Sequence, residues 1–140
     1  MPGISKESRI LIVDDSVIMR SMIRNILSDM GHINVDEAEN GRVAYEKILE
    51  GKEKKNPFRI VFLDWAMPEM NGLMLLEKCR ADPEMAPMAI VIVTAVTEQI
   101  NMVEAISKGA TAYVTKPFAP EKVSEALKFV SSWAEKLERS

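Results

Sequence analysis

Side chains able to bind a cation and a phosphoryl group follow four apolar runs of this 140-residue sequence. Asp14 and Asp15 follow "RILIV", and Asp64 follows "IVFL". Thr94 follows "MAIVIV", and Lys116 comes shortly after "AYV". If these runs are neighbouring strands of an open parallel sheet, the side chains meet at its carboxyl edge, where such sheets bind ligands. The sequence therefore predicts a site with three carboxylates, a hydroxyl and one ammonium group.

Repulsion between the three carboxylates limits what such a site can do. Two unit charges about 4 Å apart repel by about 4 kcal/mol at an effective dielectric constant of about 20. One lysine cannot neutralise three acids, so either a carboxyl group is protonated or a divalent cation binds. An oxygen-rich cluster completed by water suits Mg²⁺, which takes one or two carboxylates and keeps several waters.

The same groups are suited to receiving a phosphoryl group. In this interpretation Asp14 and Asp15 hold the metal ion. Lys116 pairs with one phosphoryl oxygen, and the Thr94 hydroxyl donates a hydrogen bond to another. A carboxylate can also be the nucleophile and form an acyl phosphate. Asp64, alone at the tip of a central run, is the best-placed candidate for that role.

Each of these residues also has an ordinary structural explanation. Asp15 or Ser16 could be no more than the N-cap of the helix that follows. Thr94 could be a packed β-branched residue, and Lys116 could be a solvated one. Their joint occurrence after four apolar runs is what favours a phosphoryl-accepting site.

The pattern around these residues predicts an α/β fold. The apolar runs are continuous and rich in Val and Ile, which is typical of strands covered on both faces. A weaker fifth run, "INVDEAE" at 33–39, carries the acidic residues of an exposed or edge strand. Helical patterns alternate with the runs, near 17–30, 42–50, 73–80, 98–107 and 120–137. This alternation predicts a doubly wound five-stranded parallel sheet with right-handed connections.

Composition excludes several classes of function. A net charge of −3 gives no basic surface for nucleic acid. The single cysteine, Cys79, rules out an internal disulfide and a multi-cysteine metal site. The single histidine, His32, is expected at a helix end or on the surface. No apolar run approaches the ~20 residues of a membrane span, and the N-terminus has no apolar signal-peptide core. We therefore expect a cytoplasmic protein that binds neither nucleic acid nor membrane.

Four motifs in order, "LIVDDS", "LDWAMPEMNG", "VTA" and "YVTKPF", resemble the receiver domain of two-component response regulators. The likeness is greatest to stand-alone chemotaxis regulators of the CheY type. It covers roughly residues 8–130, the expected core of a single receiver domain formed by residues 1–140. It implies a flavodoxin-like (βα)5 fold with strand order 2-1-3-4-5, an order for which CheY is itself a standard example.

The resemblance implies a role for each acidic residue. Asp64 matches the phosphoacceptor, which takes its phosphoryl group from a histidine kinase or a small phosphodonor and also belongs to the metal site. Asp15 matches the direct Mg²⁺ ligand, and Asp14 matches a partner that often acts through water. The backbone carbonyl of Ala66 matches the third protein ligand.

The resemblance also implies a switch and an output surface. Thr94 and Lys116 match the groups that contact the phosphoryl oxygens. Thr94 and Tyr113 match the switch pair, in which the hydroxyl moves toward the phosphate and the ring turns inward. An output protein, such as a flagellar motor switch protein or a phosphotransfer protein, is then expected to bind the surface formed by residues 97–107, 111–114 and 120–137.

The leading hypothesis is a monomeric chemotaxis switch that acts by protein binding and catalyses only its own phosphorylation and dephosphorylation. The alternative is a phosphorelay intermediate that passes its phosphoryl group to a histidine of another protein. A metal-dependent phosphatase is disfavoured, because Ala66 stands where a second acid–base aspartate is required. A flavodoxin-type FMN carrier is disfavoured, because Asp14 and Asp15 would repel phosphate. The complete set of three aspartates with Thr94 and Lys116 argues against a docking module that works without phosphorylation.

Two positions depart from the family pattern. CheY-type proteins commonly have polar side chains where this chain has Ala66 and Val96. We hypothesise that this apolar pair orders an attacking water poorly and so prolongs the phosphorylated state. Neutral drift explains the two residues equally well.

Overall fold

Five parallel strands form one sheet in this protein. The computed structural model describes residues 4–65, 67, 70–95, 102–116 and 119–139. The strand order within these residues is β2-β1-β3-β4-β5, and every neighbouring pair is parallel. This confirms the predicted fold class and strand order. The strands are β1 (Ile10–Val13), β2 (Val35–Ala38), β3 (Ile60–Asp64), β4 (Ala89–Ala95) and β5 (Ala112–Lys116).

Helices follow the strands, and three of them begin at a side-chain cap. Ser16, Asn40 and Asn71 each accept a hydrogen bond from the backbone N–H three residues later. Ser16 therefore caps the first helix, and the Asp15 carboxylate has no capping role there. The helices are α1 (Val17–Asp29), α2 (Gly41–Glu53), α3 (Gly72–Arg80), α4 (Met102–Ser107) and α5 (Pro120–Arg139), with a 3-10 turn at Pro83–Met85.

The sheet separates two apolar layers. Alternate side chains of a strand point to opposite faces, so Leu11 and Leu63 pack in one layer with residues of α2 and α3. Ile12 and Phe62 pack in the other layer with residues of α1 and α5. Burial on both faces explains why these strands read as continuous apolar runs. None of the described helices combines the length and hydropathy that a membrane-spanning segment requires.

Helix α2 is longer than its sequence pattern predicted. The periodicity predicts an end near residue 50, but α2 continues to Glu53. Lys52 explains part of this extension, because its ammonium group lies 2.6 Å from Asp82 and 2.8 Å from Glu84. These partners are about thirty residues away in the sequence, so a local pattern does not reveal them.

Two further expectations concern helix ends. His32 is only 7% exposed, so the expected surface role was wrong. The expected capping role was right, because the His32 backbone N–H donates to the Leu27 carbonyl oxygen at 2.9 Å and closes the end of α1. Gly31 adopts a left-handed φ of 91°, which turns the chain after α1 and leaves His32 beside Ile4 and Lys6. The predicted beginning of α4, residues 98–101, lies outside the described residues.

Gly72 sets the approach of α3 to the end of β3. Its N–H donates to the carbonyl oxygen of Trp65 at 3.1 Å. A Cβ at this position would lie 2.9 Å from the Trp65 Cα and 3.0 Å from the Asp64 carbonyl oxygen. Both atoms belong to the backbone and cannot rotate away, so only glycine allows this contact.

We predict that Gly72→Ala destabilises the fold by about 1–3 kcal/mol, the usual cost of overpacking. Urea unfolding at equilibrium measures this. Met74→Ala is the matched control, because Met74 lies in the same helix and is 50% exposed; its effect should stay within about 0.5 kcal/mol. Equal free energies of unfolding for the two variants would contradict the proposed clash at Gly72.

Candidate functional site

Four neighbouring strands bring the predicted site residues to one edge of the sheet. Asp14 follows the end of β1, and Asp64 is the last residue of β3. Thr94 lies near the end of β4, and Lys116 is the last residue of β5. Since β1, β3, β4 and β5 are consecutive in the sheet, their carboxyl ends form one continuous edge.

The three aspartates form a compact cluster at this edge. One carboxylate oxygen from each of Asp14, Asp15 and Asp64 lies within 4.8 Å of the others. Asp14 is 1% exposed and Asp64 is 2% exposed, whereas Asp15 faces solvent. Two buried carboxylates this close cannot both remain charged at low cost without a compensating cation.

Lys116 supplies part of that compensation. Its ammonium nitrogen lies 3.3 Å from an oxygen of Asp64 and 3.5 Å from an oxygen of Asp14. Burial lowers the pKa of Lys116, but the two carboxylates outweigh this effect and raise it above its ordinary value. Lys116 is therefore protonated at neutral pH, and one positive charge faces three acids.

Asp14 has an oxygen placed to bind a cation. Its Oδ1 accepts a hydrogen bond from the Ser16 N–H at 2.9 Å, while its buried Oδ2 has no hydrogen-bond partner among the described residues. Burial raises the pKa of the Asp14 carboxyl above its ordinary value, although the Ser16 amide and Lys116 each lower it. This Oδ2 is the oxygen that lies 3.5 Å from the Lys116 ammonium nitrogen, a long ion-pair contact. A carboxylate oxygen held only in this way beside two other carboxylates fits a small, oxygen-binding divalent cation.

Thr94 and Tyr113 differ in their surroundings. Thr94 is 3% exposed, and its hydroxyl donates a 3.3 Å hydrogen bond to the Ala95 carbonyl. Tyr113, on the neighbouring strand β5, is 51% exposed. Its ring is therefore in an outward position. Ala66 and Val96 lie outside the described residues. The role of the Ala66 carbonyl as a metal ligand therefore remains a prediction, as does the effect of these two residues on the lifetime of the phosphorylated state.

Arg20 positions the acidic loop and was missed in the sequence. Its guanidinium donates to the Asp14 carbonyl oxygen at 2.6 Å and pairs with Glu37 at 2.9 Å. These contacts fix the backbone that carries Asp14 and tie it to β2. The sequence offered only an arginine in the first turns of α1, which is an ordinary feature of a solvated helix.

Comparison with known proteins identifies the family. Residues 10–128 match the family model of the response regulator receiver domain. The chain belongs to that family. It is 38% identical to chemotaxis protein CheY1 of Helicobacter pylori over 122 residues, which cover 87% of this chain and 95% of the relative.

Other relatives of this receiver domain agree with the assignment. A CheY homolog of Campylobacter jejuni is 38% identical, with 87% of this chain and 91% of the relative covered. Among solved structures, the chemotaxis protein CheY4 of Vibrio cholerae superposes with a TM-score of 0.75 at 31% identity. That superposition covers 89% of this chain and 98% of CheY4.

We predict that Asp14→Asn stabilises the metal-free receiver domain by about 1–3 kcal/mol, because it removes a buried charge from a repulsive cluster. Since the folded-state pKa of Asp14 is raised, its carboxyl makes the wild type lose stability as the pH rises through that pKa. The variant lacks this loss. Urea unfolding in EDTA at several pH values measures both effects. Asp15→Asn is the control, because Asp15 is exposed and its substitution should raise the free energy of unfolding by less. Equal increases in the two variants would contradict the role of burial.

Proposed function

We propose that this receiver domain is a phosphorylation-activated chemotaxis switch that accepts a phosphoryl group on Asp64. The observation that carries the proposal is the buried Asp64 carboxylate beside Lys116, within the cluster completed by Asp14 and Asp15. Membership of the receiver family and the chemotaxis names of the relatives support it. The phosphorelay alternative has no such support from the relatives.

Mg²⁺ is the cofactor that best fits this chemistry. Asp14, Asp15, Asp64 and the Ala66 carbonyl would hold it, with water completing the coordination. Bound there, Mg²⁺ would offset the carboxylate repulsion and neutralise charge on the phosphoryl oxygens. The close cluster of the Asp14, Asp15 and Asp64 oxygens, with the buried Oδ2 of Asp14 held, within the described part of the chain, only by a 3.5 Å ion pair with Lys116, is the feature of this chain that supports binding.

Phosphoryl transfer would use the residues at the end of β3 and β5. A carboxylate oxygen of Asp64 attacks phosphorus, so an O–P bond forms while the donor's P–N bond (phosphohistidine) or P–O bond (acetyl phosphate) breaks. The bonding electron pair leaves with the histidine or acetate. Lys116, which now pairs with Asp64 at 3.3 Å, then pairs with a phosphoryl oxygen.

The switch would follow from the new negative charge. Phosphorylation adds charge and strong hydrogen-bond acceptors at the edge of the sheet. The Thr94 hydroxyl, which donates a 3.3 Å hydrogen bond to the Ala95 carbonyl oxygen, would turn toward a phosphoryl oxygen. Its movement would open space for the exposed Tyr113 ring to turn inward. The chain would then signal by this change of surface.

The partners are proposed at two places on one domain, residues 1–140. A histidine kinase would reach Asp64 at the carboxyl edge of the sheet. An output protein, such as a flagellar motor switch protein, would bind the surface that we call the output face. This face is formed by α4, β5 and α5, where Val103, Ile106 and Phe129 are exposed.

We predict a Mg²⁺-dependent mass gain of one phosphoryl group when the protein is treated with acetyl phosphate. Asp64→Asn should show none, because an amide is a far weaker nucleophile than a carboxylate. Intact-mass spectrometry measures this, and Trp65 fluorescence in a Trp133→Phe background gives a parallel readout. Asp82→Asn is the control, since Asp82 pairs with Lys52 far from the site. Phosphorylation of the Asp64 variant at wild-type level would refute the assignment.

We predict that Phe129→Glu weakens binding of the output protein at least tenfold, because a charge replaces an exposed aromatic anchor. Acetyl phosphate should still phosphorylate this variant normally. Co-purification with flagellar switch proteins from phosphorylating cells measures the loss. Ile33→Glu is the control, because Ile33 is 77% exposed beside the opposite edge strand. A similar loss in both variants would argue against the output face.

A further inference from the structure

Among the described residues, the outer edge of β5 is open. In the strand order β2-β1-β3-β4-β5, this strand pairs with β4 and with no other described strand. An edge strand presents unpaired N–H and C=O groups, and proteins commonly cover, shorten or charge such edges. Here the edge lies in a cleft of about 410 Å³, whose lining includes the five consecutive residues 111–115.

The hydrogen bonds of β4 show which of its residues face β5. The Trp65 N–H, at the end of β3, donates to the Val93 carbonyl oxygen at 3.1 Å. The main-chain groups of Val93 therefore face β3. Because these groups alternate along a strand, those of Ile92 face β5.

The register then identifies the unpaired groups of β5. Ile92 is aligned with Tyr113, and the slanted bonds of a parallel pair join Ile92 to the residues on either side of that partner. Ala112 and Val114 therefore bond to β4, while Tyr113 and Thr115 direct their N–H and C=O groups outward. Within the described part of the chain, no hydrogen bond reaches these outward groups.

Apolar side chains stand on both sides of this edge. Ile106 of α4 is 46% exposed and Phe129 of α5 is 56% exposed, and both line the cleft. The two helices pack on opposite faces of the sheet. The exposed Lys122 side chain donates to the Thr115 hydroxyl at 3.0 Å, a surface contact that a ligand can displace at little cost.

We infer that the outer edge of β5 binds an extended, apolar segment of the output protein as a sixth strand. Its main chain bonds to Tyr113 and Thr115, and its side chains alternate between Ile106 on one face and Phe129 on the other. The inference rests on the proposed function, because it specifies how the output face recognises its partner. It also makes recognition depend on Tyr113, the proposed switch residue, through both its ring and its backbone.

The size of the cleft favours a short segment over a second folded copy of this chain. Ten of the described residues line the cleft, whereas a stable complex of two folded proteins has about 20–30 residues on each side. An added strand needs less contact area, because its main chain supplies hydrogen bonds along the whole edge.

Hydrogen exchange of individual amides tests the binding mode. The probes are decapeptides selected from a random displayed library against the full chain, with and without acetyl phosphate and Mg²⁺. In the complex, the amides of Tyr113 and Thr115 should exchange at least tenfold more slowly, whereas those of Ala112 and Val114, already bonded to β4, should change little. Uniform protection of all four amides, no protection, or failure to select any peptide would overturn the inference.

A proline substitution provides a second test. Thr115→Pro removes the outward N–H, and edge strands accept proline where the N–H faces solvent. The selected peptide should bind this variant at least tenfold more weakly. Thr115→Val is the matched control, because it loses the hydroxyl but keeps the N–H, and its affinity should remain within twofold of wild type. Equal binding to both variants would overturn the inference.

The outcomes separate this inference from the proposed function. Absence of a mass gain with acetyl phosphate in the wild type would contradict the proposed switch without affecting the exchange result. Normal phosphorylation with unprotected amides would overturn only the added strand. If the two amides become protected at high protein concentration without peptide, and sedimentation shows a dimer, the edge binds a second copy instead and the inference is overturned.

Discussion

The repulsion between the buried carboxylates of Asp14 and Asp64 is the constraint on which the rest of this structure depends. Both side chains are almost fully buried, and one ammonium group, from Lys116, lies between them. The fold can hold this arrangement because central strands covered on both faces provide enough buried apolar area to tolerate a locally unfavourable site. Under the proposed function, this loss of stability is the cost of a site that can bind a cation and a phosphoryl group.

The parallel sheet converts this local repulsion into a means of signalling. Its strands end at the acidic site, and β4 and β5 also carry Thr94 and Tyr113. In the proposed switch, a change of charge at this edge would therefore act directly on β5, a strand of the output face. The backbone of the acidic loop is fixed by Arg20 and the Ser16 cap. The end of β3 is fixed by Gly72. Rigid support of this kind lets a small electrostatic change select between two side-chain positions.

The open edge of β5 gives the same strand a second use. Lys116, at its end, belongs to the acidic site, while Tyr113 and Thr115 offer main-chain groups to a partner. A segment added there would lie one residue from Lys116, whose ammonium group is 3.3 Å from the proposed phosphoacceptor Asp64. Because the phosphoryl site and the proposed binding edge of β5 are so close, no long chain of residues is needed to couple phosphorylation to partner binding.

The sequence by itself determined the fold class, the strand order through family resemblance, and the places where Asp14, Asp64 and Lys116 would meet. It could do so because fully buried strands require continuous apolar runs, and because parallel strands bring their carboxyl ends to one edge. Only the tertiary structure decided the end of α2, the burial of His32 and the contact of Arg20 with the acidic loop. These features depend on side chains that meet across separate elements, such as Lys52 and Asp82, and short-range patterns carry no record of such distant contacts.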